Sequence, residues 1–231
     1  MKIAILLYHG ITLLDAVGPY EVLSNLDDAK IYFVAKKRGN IKVDTGFTTI
    51  KAKYSFKEVS NADILVIPGA AISFLNVLKD EATLDWIKKI DATTQFTTSV
   101  CSGSVILAKT GLLQDYNATS HWKTLGLLKD YNVTPLDERI VKDGKYITAA
   151  GVSAGIDMAL FLCDELVGED ETKAIQLLIE YDPNPIYKSG NFQNCAADII
   201  ELAEKKLKKN AKREMSFYKM FKNRKVLKKM K

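Results

Sequence analysis

Nucleophilic and proton-transfer chemistry draws on few side-chain types, and the scarce ones among these 231 residues are three cysteines and two histidines. Cys101 stands in Thr98-Ser99-Val100-Cys101-Ser102-Gly103-Ser104, between a run that reads as a strand and a glycine-supported helix start. That is the arrangement of a nucleophile elbow. A thiol there feels the positive end of a helix dipole and unpaired backbone amides, which favour the thiolate. The ordinary alternative is a buried apolar cysteine, and it is the preferred reading for Cys163 and Cys195, both in helical apolar patterns. The three thiols are 62 and 32 residues apart, without the close pairs of zinc sites or disulfide frameworks, and are expected to be reduced.

A nucleophile needs a partner to manage its proton, and the candidates are few. His9 follows the first strand, where catalytic groups of open parallel sheets gather; a loop histidine bonded to backbone is the plainer reading. His121, in Ala118-Thr119-Ser120-His121-Trp122, either lines a pocket or caps the next helix. Asp15, in Leu13-Leu14-Asp15-Ala16-Val17-Gly18-Pro19-Tyr20-Glu21, can face the same strand-end crevice as Cys101 and act as acid and base. A helix N-cap for Asp15, and a capping or dipole role for Glu21, are equally compatible with the pattern.

These residues are spaced by compact apolar strands alternating with helical patterns, the signature of a mostly parallel sheet covered on both faces. Strands are expected at Lys2 to Tyr8, Ile31 to Ala35, Ile64 to Ile67, Phe96 to Val100 and Tyr146 to Ala149. Helices are expected from Asp15 to Leu26 with Gly18-Pro19 in the first turns, after Pro68-Gly69-Ala70, from Gly103 to Thr110, from Gly151 to Val167, from Glu169 to Tyr181 and from Ala196 to Leu207. Ile41 to Lys53 reads as antiparallel ribbon at an edge. The architecture is thus α/β, a three-layer sandwich, with no internal repeat or long linker to divide it.

Composition agrees with an ordinary soluble globular domain: 47% of residues are apolar and 26% charged, which excludes collagen-like and disordered classes. The longest uncharged stretch, Ala92 to Ala108, is rich in Ser, Thr and Gln, so no membrane span is expected. The apolar run Ile3 to Tyr8 is too short for a signal-peptide core, and the chain is expected to be cytoplasmic. Charge is unevenly placed. Residues 205–231 carry +12 and residues 1–204 carry −7, within a net charge of +5. The division expected is an α/β domain over 1–204 and a basic helical tail over 205–231. Met215, Phe217, Met220, Phe221, Val226, Leu227 and Met230 interrupt the tail's lysines, which suits a docked helix better than a free nucleic-acid-binding arm.

Five segments resemble, in the same order, the ThiJ/PfpI superfamily, most nearly its isonitrile hydratase branch. They are Asp15 to Val22, Val100 to Ser104, Ala118 to Trp122, Gly151 to Asp157 and Glu180-Tyr181-Asp182-Pro183-Asn184-Pro185, and the resemblance covers about residues 1–200. It implies a class I glutamine-amidotransferase-like (flavodoxin-like) sandwich, a homodimer, a small-molecule substrate and no metal or organic cofactor. Catalytic roles carry over to Cys101, Asp15 and Ser102. Amides at Gly69, Ala70 and Ser102 are placed to stabilise developing charge, with His121 beside the substrate. Ser102 stands where the branch carries threonine, and Ala70 where a second glycine is usual. Protease-like members carry histidine after the nucleophile, so Ser102 argues against that activity. The 27 residues from Lys205 are too few for the AraC-type DNA-binding region of another branch.

Two classes of function follow: a cysteine-dependent hydratase or hydrolase of a small carbon–nitrogen substrate, isonitriles foremost, or a non-enzymatic oxidation sensor or binding protein reporting through Cys101. A nucleic-acid contact by the tail ranks last, since stacking aromatics there are confined to Phe217, Tyr218 and Phe221.

Overall fold

A computed structural model describes residues 1–217, with side chains through Glu214. Strand β1 (Lys2–Leu6) is where the architecture starts, because its residues from Ile3 to Leu6 are all fully buried. Ile3 and Ile5 enter one apolar cluster, while Ala4 and Leu6 enter another. A strand apolar on both sides must lie inside a sheet covered on both faces. β1 pairs in parallel with β2 (Lys30–Ala35) on one side and β6 (Ile64–Ile67) on the other, Leu6 opposite Val34 and Ile3 opposite Ile64.

The sequence between β2 and β6 supplies β3 (Gly39–Lys42) and β4 (Thr49–Ala52), an antiparallel ribbon with Ile41 opposite Ile50, and β5 (Tyr54–Ser55), which extends the main sheet beside β2. Beyond β6 come β7 (Phe96–Val100) and, after the short pair β8 (Asn117–Ala118) and β9 (Thr134–Pro135), the hairpin β10 (Ile140–Asp143) and β11 (Tyr146–Ala149). The main sheet has seven strands in the order β10-β11-β7-β6-β1-β2-β5, parallel except for β10.

Helices α1 (Leu13–Leu23) and α5 (Ala154–Val167) cover one face, contributing Ala16, Val22, Met158 and Leu162 to its core. The other face is covered by α2 (Phe74–Val77), α3 (Glu81–Asp91) and α4 (Gly103–Lys109), through Phe74, Leu84, Ile87 and Ile106. Helices α6 (Glu169–Leu178) and α7 (Ala197–Phe217) complete the described chain, with α7 continuous across positions 204 and 205. The three-layer α/β sandwich expected from the strand and helix alternation is the observed fold. No described helix is long and apolar enough to cross a membrane.

Several local readings need correction. Thr12, not Asp15, is the residue before α1; Asp15 is the helix's third residue. Pro19 lies in mid-helix, beyond the first turns. It withholds the amide that would otherwise bond the Asp15 carbonyl, and it packs where α1 crosses α5, its Cδ 3.4 Å from the position of a Cβ on Gly155. The edge strand β10 was not anticipated, although its Asp143-Gly144 turn, with Gly144 at φ +58°, is a hairpin signal. Cys195 is not inside a helix: it follows the short 3-10 turn Phe192–Asn194, ahead of α7, and is half-buried. Cys163, in α5, is fully buried as expected.

Candidate active site

Chain order reverses at β1, which leads to β2 on one side and finds β6 on the other. Crevices at the carboxyl ends of strands beside such a reversal are where open α/β sheets bind ligands. Asp15 follows β1, Gly69 and Ala70 follow β6, and Cys101 follows β7 at that end of the sheet.

Cys101 turns the chain from β7 into α4 with φ +59°, a left-handed conformation that costs a non-glycine residue roughly 1–2 kcal/mol. Its backbone is held from four sides. The N–H meets the Ala149 and Ala150 carbonyls at 3.1 and 2.8 Å. The carbonyl accepts Ser104 Oγ at 3.1 Å and Ser120 Oγ at 3.0 Å. Gly103 makes the elbow sterically possible: a Cβ there would collide with the Ile67 carbonyl at the end of β6.

Asp15 is completely buried. Its Oδ2 accepts the Gly69 N–H at 3.0 Å, and its Oδ1 is buried without a hydrogen-bond donor. Ser102 Oγ bridges to Ala70, accepting its N–H at 2.9 Å and donating to its carbonyl at 2.8 Å. The Gly69 and Ala70 amides are thus engaged in orienting Asp15 and Ser102. A Cβ on Gly69 would lie 2.6 Å from Ser102 N and 3.0 Å from Asp15 Oδ2, so the β6 loop can approach both only as glycine.

Burial lifts the Asp15 carboxyl to about 7, with Asp44 adding to the rise, against the Gly69 amide and the Cys101 thiol, which favour its charge. The Cys101 thiol is also pushed well above its ordinary value, by burial first and by Asp15 second. Amides of Ser102 and Val152 pull the other way and are outweighed. This corrects the expectation of a thiolate favoured by the helix start: desolvation and a facing carboxylate dominate, and the resting group is the thiol.

A cavity of about 730 Å³ opens over Cys101, with Asp15 buried behind its lining. Cys101, Ser102, Ala70, His121 and Val152 line it, together with residues of α7. His121 is neutral, lowered to about 4 by burial and by Lys123, and its Nδ1 accepts the Lys123 N–H at 3.2 Å. Its ring packs closely on Gly151, where a Cβ would come within 3.1 Å of Cδ2. His9 is elsewhere, an exposed loop residue whose Nδ1 accepts the Lys42 N–H at 3.1 Å. Glu21 is exposed in the last turn of α1. Among the described residues no group of three or more His, Cys, Asp or Glu side chains is placed to hold a metal ion.

Sequence reasoning missed Val152, Asp44 and Thr12. The first lay within a segment already singled out, Gly151 to Asp157, as an amide donor that no side-chain pattern reveals. Thr12 Oγ1 donates to Asp44 Oδ2 at 2.8 Å at the cavity wall, an encounter between residues 32 positions apart.

Residues 1–165 match the model of the DJ-1/PfpI family. The chain belongs to that family. It is 36% identical over 206 residues to the isonitrile hydratase of Pseudomonas putida, an alignment covering 89% of this chain and 90% of the relative. The crystal structure of a ThiJ/PfpI family protein from Pseudomonas syringae superposes with a TM-score of 0.84 at 36% identity, covering 92% of this chain and 90% of the other. Drosophila melanogaster DJ-1beta shares the fold at 19% identity, with a TM-score of 0.70 over 79% of this chain and 98% of its own. Within the DJ-1/PfpI family the site therefore belongs to a chain whose sequence aligns with that of a hydratase over most of both lengths.

Proposed function

We propose that this chain is a hydro-lyase of the isonitrile hydratase type, adding water to an isonitrile to give an N-substituted formamide. The observation that carries it is the buried Asp15–Cys101 pair, with a partly open cavity of about 730 Å³ over Cys101, in a chain 36% identical to an isonitrile hydratase over 206 residues. An isonitrile carbon needs both a nucleophile and a proton, and this pair holds one of each.

Asp15 accepts the Cys101 proton as the sulfur attacks the terminal carbon of R–N≡C, then delivers that proton to the same carbon. A C–S and a C–H bond form while the carbon–nitrogen bond falls from triple to double, giving a thioimidate. Asp15, again a carboxylate, takes a proton from water as the water oxygen adds to the thioimidate carbon, and passes it to nitrogen. Collapse breaks the C–S bond, forms the formyl carbonyl and returns the hydroxyl proton to sulfur through Asp15. Ser102 positions the Ala70 loop, and the Ser102 and Val152 amides favour the sulfur's negative charge as its proton leaves. Neutral His121 lines the substrate's side of the cavity. No metal or organic cofactor enters these steps. Family resemblance adds a homodimer to the reading.

The sensor alternative is disfavoured, because oxidation-sensing thiols are exposed and readily ionised, whereas Cys101 is 6% exposed and pushed up. Turnover of an isonitrile series, with the formamide product quantified, tests the proposal. Cys101→Ser and Asp15→Asn should each fall to background, since neither a serine hydroxyl nor an amide can take its partner's part in the proton exchange. Wild-type turnover by either variant overturns the assignment.

A further inference from the structure

The cavity over Cys101 is closed in part by the second half of α7, through Leu207, Lys208, Ala211 and Lys212. Leu207, Ala211 and Glu214 recur at intervals of four and three, so they share one face of the helix. Three contacts seat the helix. Lys123 pairs with Glu204. Arg213 lies over the Phe47 ring, 5.3 Å from its centroid. Glu214, the single acid within residues 205–231, is 1% exposed and accepts the Ser73 N–H through Oε1 at 2.9 Å.

Ser73 ends the loop whose earlier amides, at Gly69 and Ala70, hold Asp15 and Ser102. Gly10 completes the socket: at φ +86° it lies where a Cβ would be 2.6 Å from Glu214 Oε1 and would overlap Ser73 Oγ. Burial pushes the Glu214 carboxyl up to about 7, as befits a group drawn out of water.

We propose that α7 is the selectivity wall of the site. Leu207 and Ala211 set the size of apolar nitrogen substituent admitted beside Cys101, and Glu214 is the latch that seats the wall on the Gly69–Ser73 loop. Size selection among isonitriles rests on the hydratase reading; the latch does not, so the two are read separately.

Labelling of Cys101 in the full chain by N-ethylmaleimide and by a bulky biotinylated maleimide, followed by peptide mapping, reads the latch without turnover. Glu214→Ala should raise labelling by the bulky reagent about tenfold through local opening, with Cys163 still protected. Glu214→Gln keeps an oxygen for the Ser73 amide and should label nearly as slowly as the parent. Ala211→Phe narrows the cavity. It should slow bulky labelling and shift the kcat/KM ratio of methyl to cyclohexyl isonitrile about tenfold toward methyl.

Unchanged bulky labelling in a cooperatively folding Glu214→Ala overturns the latch, and unchanged labelling in Ala211→Phe overturns the wall. Should Glu214→Ala not fold, parent-like labelling of Ala211→Phe overturns the whole proposal, and slowed labelling supports it. If no isonitrile is converted, the hydratase reading fails while the labelling still decides the wall and latch.

Discussion

Asp15 and Cys101 share a proton problem that neither poses alone. Buried Asp15 titrates at about 7, whereas an unfolded aspartate titrates near 3.9. Between those values the folded chain keeps a proton that the unfolded chain has released. Stability therefore falls as pH rises across that window, by roughly 1.4 kcal/mol per unit, and the loss is complete above about 7. Asp15→Asn removes this contribution. In urea unfolding from pH 4 to pH 8 the variant is expected to gain about 2–4 kcal/mol on the parent. Glu214, also lifted to about 7, acts in both proteins and cancels in the difference. A parallel pH dependence of the two would show that Asp15 is not buried as a titrating group. Chemistry runs the other way: kcat/KM should rise through about pH 7, where Asp15 becomes the base the thiol requires. Cys101 was legible at this scale because strand, cysteine and glycine follow one another directly. The environment that holds its proton was not, since Asp15 is 86 positions away and its burial is a tertiary fact.

The elbow works as an element only because α4 lies against the end of β6. Gly103→Ala introduces a methyl group into the Ile67 carbonyl, so α4 must shift and stability should fall by about 1–3 kcal/mol in urea unfolding. Gly126, with open space around the corresponding Cβ position, is the control. Alanine there should be neutral or stabilising by up to about 1 kcal/mol, because it restricts the unfolded chain. Equal losses at the two sites would remove the close-approach argument. Most strands were readable as elements because β1, β6 and β7 are short apolar or β-branched runs. Helix ends were less so. The α1 boundary moved to Leu13 and Pro19 fell in mid-helix, where packing against α5 outweighs a proline's preference for a first turn.

Across the whole molecule, a body of charge −7 carries a terminal segment of +12, and the structure seats the first part of that segment over the cavity. Deleting residues 210–231 removes Ala211, Lys212 and the buried Glu214. The deletion should lower stability by roughly 1–3 kcal/mol, measured by thermal or urea unfolding. An unchanged midpoint would mean that the segment's packing contributes nothing. The apolar residues expected to dock the far tail, from Met215 to Met230, lie outside the described side chains.

Local pattern determined what local physics can determine here. Alternating apolar strands and helices require a doubly covered sheet, because such strands can hide both faces in no other way, and the Cys101 elbow requires a glycine beside it. Position after β1 made Asp15 a candidate, and family motifs then assigned catalytic roles to Asp15 and Ser102. Only the tertiary structure decided which charges matter. It buried Asp15 with one oxygen lacking a hydrogen-bond donor, raised the Cys101 thiol instead of lowering it, left Cys195 outside any helix and made α7 part of a cavity wall. Each of these outcomes depends on desolvation, and desolvation is set by residues distant in the chain that only folding brings together.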